Sequence, residues 1–241
     1  MESRKDEKVL SYGDVVLRRS DLDLLAGPCY LNDRLIEFYF LYLSAKFAAS
    51  CYAATPSSPL LLVSPAITFW LLHCPDSESL VASIVPLQLQ DREMVMFALN
   101  NNEDVEMAEG GSHWTLLVYI RKENVLQHYD SMAGCNRRQA QELANKLKPF
   151  ISSGSTPPKL VEQTTPQQQN SYDCGVYVMA IAQLLCNVFE DSHKCIPVQD
   201  VDILLRTQVT PSFVHKMRHN TLELISQLVD VLHPSSHQWC A

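Results

Sequence analysis

The sequence predicts an α+β fold built as one domain, with helices first, a central sheet, then helices. Three observations carry this expectation. Apolar residues recur at helical spacing in Leu31–Leu43, and again in the Arg137, Cys174 and Thr221 segments. Between them lie a compact apolar run, Met94–Asn100, and two strand-like segments about a short turn. No linker is long enough to force a domain boundary. With 241 residues, 46% apolar and 19% charged, the chain can bury one substantial core or two small ones.

Residues 1–8 read as a frayed tail, so the domain is placed at residues 9–233, with 234–241 as a second flexible tail. Val9–Leu25 holds a strand or turn and a short helix. In Leu31–Leu43, the side chains of Leu31, Leu35, Phe38 and Tyr42 share one helical face, and Asn32 or Asp33 can cap its start. Ala53–Pro59 is a Pro/Ser loop. Ser64-Pro65 opens a helix reaching Cys74, with serine at the cap and proline at the first position. Met94–Asn100 is a buried strand. Residues 101–112 are acidic, end in Gly110-Gly111, and form a mobile loop by composition. The segment from His113 to Arg121 pairs with Val125–Asp130 in a hairpin across Lys122-Glu123-Asn124. Arg137–Phe150 is a helix with Ala140, Leu143, Ala144 and Leu147 on its apolar face. Ser152–Pro158 is a linker and Leu160–Thr164 a short strand. A helix opens at Cys174, residues 190–211 are irregular, and Thr221–Leu232 is an amphipathic helix.

Formal net charge is −8 and no basic run occurs, so no nucleic-acid partner is expected. The charged N-terminus lacks the apolar core of a signal peptide, and the longest apolar run falls short of a membrane span. No membrane association is expected, and free thiols point to a reducing compartment, cytoplasm or nucleus. The eight cysteines include no C-x-x-C pair, which argues against a metal knuckle and against a disulfide framework. His233, His237 and Cys240 carry metal-ligand atoms, but in a tail they make an adventitious site at most. No metal and no cofactor is expected.

Among the thiols Cys174 is distinct. The polar stretch Gln168-Gln169-Asn170-Ser171-Tyr172-Asp173 delivers it to the mouth of an apolar helix, where unpaired N–H groups and the helix dipole favour thiolate. A cysteine nucleophile needs a base, a group to orient that base, and donors for an oxyanion. His113 starts one strand and Asp130 ends the next, so a hairpin makes them neighbours. Each alone reads as an ordinary strand-end residue; with Cys174 they read as base and orienter. Gln168, six positions before Cys174, is the candidate oxyanion donor beside the Cys174 N–H, although Gln167 and Gln169 stand within one residue of it. Trp114 is either a core tryptophan or a lid over a substrate chain. Gly175 leaves room for substrate backbone beside the nucleophile. Asp173 is assigned to capping the helix, and Cys186, on the same helix, to the core.

The order His113-Trp114, Asp130-Ser131 and Gln168-Gln169-Asn170-Ser171-Tyr172-Asp173-Cys174-Gly175 resembles the ubiquitin-like protease family, the sentrin/SUMO-specific proteases, and more narrowly their deneddylase branch. Leu31-Asn32-Asp33, Gly110–Tyr119 and His128–Ser131 add to the likeness, which covers residues 9 to 230. The resemblance implies a papain-like cysteine protease fold, a central mixed sheet flanked by helices, with circularly permuted catalytic order (His113, Asp130, Gln168, Cys174). It implies that Trp114 covers the diglycine tail of a modifier, and that Asp33, Asn100 and Tyr30 lie near that tail. Tyr30 stands where members often carry tryptophan, and residues 101–109 are longer and more acidic. The implied activity is cleavage after the C-terminal Gly-Gly of a RUB/NEDD-type ubiquitin-like modifier, in precursors and in lysine conjugates such as those of cullins, by a monomer. A SUMO- or ubiquitin-directed protease of the same fold, and a module that holds the tail without cutting it, are the alternatives. Residue types alone do not choose the modifier.

Overall fold

Met94–Asn100 forms a strand buried on both faces, which is why its sequence is continuously apolar instead of alternating. Met94, Met96 and Ala98 join one core, while Val95, Phe97 and Leu99 join another on the opposite side. The structure is a computed structural model and describes residues 6–51, 58–107, 110–151, 156–194 and 200–232.

A hairpin of β1 (Lys8–Tyr12) and β2 (Val15–Arg18) leads to α1 (Arg19–Ala26) and the long α2 (Asp33–Cys51). Then come β3 (Leu60–Val63), α3 (Pro65–His73), α4 (Ser77–Ile84), two short 3₁₀ turns and β4 (Met94–Asn100). β5 (Trp114–Ile120) and β6 (Val125–Tyr129) precede α5 (Arg137–Ile151) and β7 (Lys159–Glu162). The last described elements are α6 (Cys174–His193), α7 (Val201–Gln208) and α8 (Pro211–Leu232).

β3 to β7 form one mixed sheet in the order β3-β4-β5-β6-β7. The outer pairs β3/β4 and β6/β7 are parallel, and the inner pairs are antiparallel. Helices cover both faces. The larger core packs α2, α6 and α8 against Met96, Leu116, Val118 and Tyr129; the smaller packs α3 and α5 against Phe97, Leu117 and Leu126. The buried Tyr119 hydroxyl donates to the Ile151 carbonyl at 2.5 Å, pinning the end of α5. α6 is long and apolar enough to cross a membrane by length and composition, yet 72% of its most apolar stretch is buried inside the protein. It is the central helix of the larger core.

Several expectations are corrected in detail. Val9–Leu25 holds two strands before its helix. Asn32 caps α2, accepting from the Leu35 N–H at 3.1 Å. The Ser64 side chain makes no cap bond; its carbonyl accepts instead from the Thr68 N–H. α4 was not expected, although Asp76 caps it through the Ser79 N–H at 2.8 Å. Residues 190–211 are less irregular than read, since α6 continues to His193, α7 occupies Val201–Gln208, and α8 starts at Pro211, well before Thr221. Most of the Ala53–Pro59 and Ser152–Pro158 segments, and the tail with His233, His237 and Cys240, lie outside the described residues.

Candidate active site

The antiparallel register of β5 and β6 runs from Ile120↔Val125 to Leu116↔Tyr129. It leaves His113, just ahead of β5, beside Asp130, just past β6. His113 Nε2 lies 2.7 Å from Asp130 Oδ1, and both side chains are almost fully buried, 3% and 4% exposed. The backbone of His113 is clamped by Asn101: its N–H donates to the Asn101 Oδ1 at 3.0 Å, and its carbonyl accepts the Asn101 N–H at 3.2 Å. Asp130 Oδ1 also accepts the Met132 N–H at 2.8 Å, and Oδ2 accepts the Asn136 N–H at 3.4 Å.

Burial raises the Asp130 carboxyl, but the His113 bond and the two backbone N–H groups outweigh it and hold the carboxyl below its ordinary range. For His113, burial pulls the imidazole down, and the Asp130 hydrogen bond together with the nearby Cys174 thiol more than reverses this, raising it to about 9. Asp130 occupies Nε2, which leaves Nδ1 for the sulfur. Nδ1 is buried and makes no hydrogen bond of regular geometry, so the Cys174 interaction is close but not yet a formed bond. Loose contacts of this kind tighten when substrate arrives.

Cys174 is the first residue of α6 and is fully buried. Asp173 precedes it but does not cap the helix with its side chain. Its carboxylate instead pairs with Arg218 Nε at 2.7 Å and accepts from Asn170 Nδ2 at 2.7 Å. Gly175 has a packing role as well. A Cβ there would sit 3.0 Å from the Leu31 Cβ, so the missing side chain admits Leu31 and brings the segment before α2 against the nucleophile's helix.

The three glutamines separate by their bonds. Gln167 spends both amide N–H groups on the Asp130 and Thr165 carbonyls, at 3.0 and 2.9 Å, and its oxygen accepts the Ala133 N–H. Gln169 is exposed. Gln168 is oriented by the Ser131 hydroxyl, which donates to its Oε1 at 2.8 Å, and gives one N–H to the Asn170 carbonyl at 2.7 Å. Its second amide N–H is left for another acceptor.

A groove of about 490 Å³ opens beside this cluster, and Tyr30, Asp33, Asn100 and Trp114 all line it. Trp114 is both core and wall: it belongs to the larger core, is 8% exposed, and its indole N–H donates to the Leu31 carbonyl at 3.0 Å. The diglycine at 110–111 lines the groove as well. Gly111 has φ +81°, and a Cβ there would overlap the Asn100 Oδ1 at 1.8 Å.

Two buried residues escaped the sequence reading. Asn136 reaches from the start of α5 to the Leu99 carbonyl, the His113 carbonyl and the Thr115 hydroxyl, at 3.2–3.3 Å. Its acceptors lie 21 to 37 residues away, so no local pattern points to this inward role. Asp21 is fully buried, accepts from Asn32 Nδ2 at 2.7 Å and pairs with Arg34 at 3.0 Å, which ties α1 to the start of α2. Locally it accepts only the Arg18 N–H at 2.7 Å, as a first-turn acid does, while the partners that bury it lie 11 and 13 residues away.

Comparison with known proteins places this geometry. A family model described as the Ulp1 protease family, C-terminal catalytic domain, matches residues 89–219. The chain is 42% identical to NEDD8-specific protease 1 of Arabidopsis thaliana over 93% of its own length and 95% of that protein. It is 37% identical to sentrin-specific protease 8 of Rattus norvegicus over 92% and 96%. Its fold matches the C-terminal Ulp1 protease domain solved in complex with Smt3, the yeast ortholog of SUMO, with a TM-score of 0.63 at 19% identity over 95% and 90% of the two chains. A buried imidazole–carboxylate pair beside a thiol at the head of a core helix, on this fold and with these relatives, leads to one conclusion: the chain belongs to the Ulp1 family of cysteine proteases.

Proposed function

We propose that this chain is a deneddylase, hydrolysing the bond after the C-terminal Gly-Gly of a RUB/NEDD-type modifier in precursors and in isopeptide conjugates such as those of cullins. The observation that supports it most is the buried His113–Asp130 pair held against Cys174, next to a groove lined by Trp114. The relatives named for NEDD8 supply the modifier class.

His113 takes the Cys174 proton, and the thiolate attacks the carbonyl carbon of the last glycine. The oxyanion is held by the second N–H of Gln168 and the Cys174 backbone N–H. As the tetrahedral species collapses, the imidazolium gives its proton to the departing amine and a thioester remains. Water, deprotonated by His113, attacks the thioester, and the thiol regains its proton as the modifier's carboxylate leaves. Asp130 holds the ring orientation and the imidazolium throughout. Trp114, Asn100, Asp33 and Tyr30 hold the tail, and a narrow groove under an indole admits only residues without side chains. The enzyme acts as a monomer in cytoplasm and nucleus, without nucleic acid or membrane.

Fluorogenic NEDD8, SUMO and ubiquitin substrates assayed side by side test the modifier. A kcat/KM for NEDD8 at least about 10² above the others is expected. Preference for SUMO or ubiquitin reassigns the substrate, and no turnover of any makes the chain a binding module. Gln168→Ala is expected to lower kcat by about 10²–10³ with little change in KM. A negligible loss moves the oxyanion role to Gln169, since Gln167 has no N–H to give.

A further inference from the structure

We propose that Arg218 is a positioning residue of this active site. Its guanidinium ties the segment bearing the nucleophile to the wall of the tail groove and neutralises the carboxylate beside Cys174. The proposal rests on the cysteine-protease reading above.

Arg218 lies on α8 and is 6% exposed. All five of its N–H groups are used. Nε donates to Asp173 Oδ1 at 2.7 Å. Nη1 donates to the Leu24 and Gly27 carbonyls at 2.9 and 3.3 Å. Nη2 donates to the Cys29 and Tyr172 carbonyls at 2.8 and 3.1 Å. The guanidinium also lies over the Tyr172 ring, 5.3 Å from its centroid.

These acceptors fall into two groups with different duties. Tyr172 and Asp173 immediately precede Cys174. Leu24, Gly27 and Cys29 lead into Tyr30–Asp33, the groove wall whose Leu31 carbonyl receives the Trp114 indole. A third link runs inward from Asp173. Its second oxygen accepts from Asn170 Nδ2, and the Asn170 carbonyl accepts the Gln168 amide. One side chain therefore sets the nucleophile's neighbour, the oxyanion donor through Asn170, and the groove wall.

Charge and span are separable functions of this residue. Without a cation at 218, the Asp173 carboxylate would be buried, unpaired and adjacent to the sulfur, where a like charge opposes thiolate. Lysine keeps the charge, but a point charge with three donors cannot bridge five acceptors in two segments.

Arg218→Gln, Arg218→Lys, Asp173→Asn and the double variant Arg218→Gln/Asp173→Asn separate the two. Each is assayed at a temperature where circular dichroism shows it folded. Two readouts are taken: the rate of Cys174 alkylation by iodoacetamide at pH 7, mapped by mass spectrometry, and kcat and KM on the fluorogenic modifier. Arg218→Gln is expected to slow alkylation about tenfold and to lower kcat/KM by on the order of 10². Arg218→Lys should alkylate within about threefold of wild type while KM rises about tenfold. The double variant should recover the alkylation rate but not KM. If Arg218→Gln does not fold, Asp173→Asn carries the charge test, with alkylation at or above the wild-type rate expected and a fall to about a tenth overturning it. Wild-type alkylation in Arg218→Gln, or unchanged KM in Arg218→Lys, reduces Arg218 to a staple of the fold. Alkylation needs no modifier, so a wild-type protein that cleaves none of the substrates would sink the protease reading without touching this result.

Discussion

Cys174→Ala is expected to abolish turnover, a fall on the order of 10⁶ in kcat, while the modifier still binds. The sulfur is the atom that bonds the glycine carbonyl, and among the described thiols it is the one that acts on His113. Cys186, twelve residues along the same helix, is buried, and burial pushes its thiol up to about 12 despite the opposing charge of Lys46. The groove residues Trp114, Asn100 and Asp33 lie on other elements and are left intact by the change. Calorimetry with the intact modifier should therefore return a Kd close to that of wild type, and a fluorogenic substrate should give no signal. An electrophile-tipped modifier should trap wild type at Cys174 and leave the variant unlabelled. Turnover within tenfold of wild type would remove Cys174 from the chemistry and the mechanism with it.

Asp130→Asn is the second large effect, about 10⁴ in kcat with the fold intact. The amide keeps the shape of the carboxylate but neither orients the correct tautomer nor stabilises the imidazolium. Its signature is in the pH profile. His113 is raised from 6.5 to about 9, so the alkaline limb of kcat/KM for wild type is expected near pH 9. Without the carboxylate, burial pulls the imidazole down with less to oppose it, and the limb moves to lower pH. Stability follows the same signs. A raised imidazole contributes stability that is whole below pH 6.5 and lost as pH rises through about 9. A depressed carboxyl contributes stability present above its ordinary 3.8 and lost as pH falls through the lower folded value. Urea unfolding across pH should show both edges in wild type; in Asp130→Asn the acidic edge of this carboxyl is lost and the alkaline edge moves to lower pH. An unmoved alkaline limb would mean that Asp130 does not govern the ring.

The parts of this molecule that could be read from the chain are those set by local pattern. The buried run at β4, the hairpin about Lys122–Asn124 and the cysteine at the mouth of α6 each follow from neighbours within a few residues. The juxtaposition of His113 with Asp130 followed because a hairpin converts sequence proximity into spatial proximity. What failed was either short or distant. α7 spans only Val201–Gln208, too few turns for its periodicity to stand out. The start of α8 is not visible in the apolar spacing, which becomes regular only from Thr221; it is signalled by Pro211 at its first position and by Thr210, which accepts the Phe213 N–H at 3.2 Å. Asp173 looked like a cap because its partner, Arg218, is 45 residues away. The glutamines were indistinguishable until Gln167 was seen to have both N–H groups committed.

The burial of α6 has a consequence for motion. Every residue from Cys174 to Ala182 is enclosed by the larger core. From Tyr177 onward, where the helical hydrogen bonds begin, the amides of that stretch belong with the slowest-exchanging class, those that meet solvent deuterium only when the whole molecule opens. The nucleophile therefore has no private fluctuation of its own. Geometry at the sulfur survives for as long as the domain survives, and is forfeited in the same cooperative event.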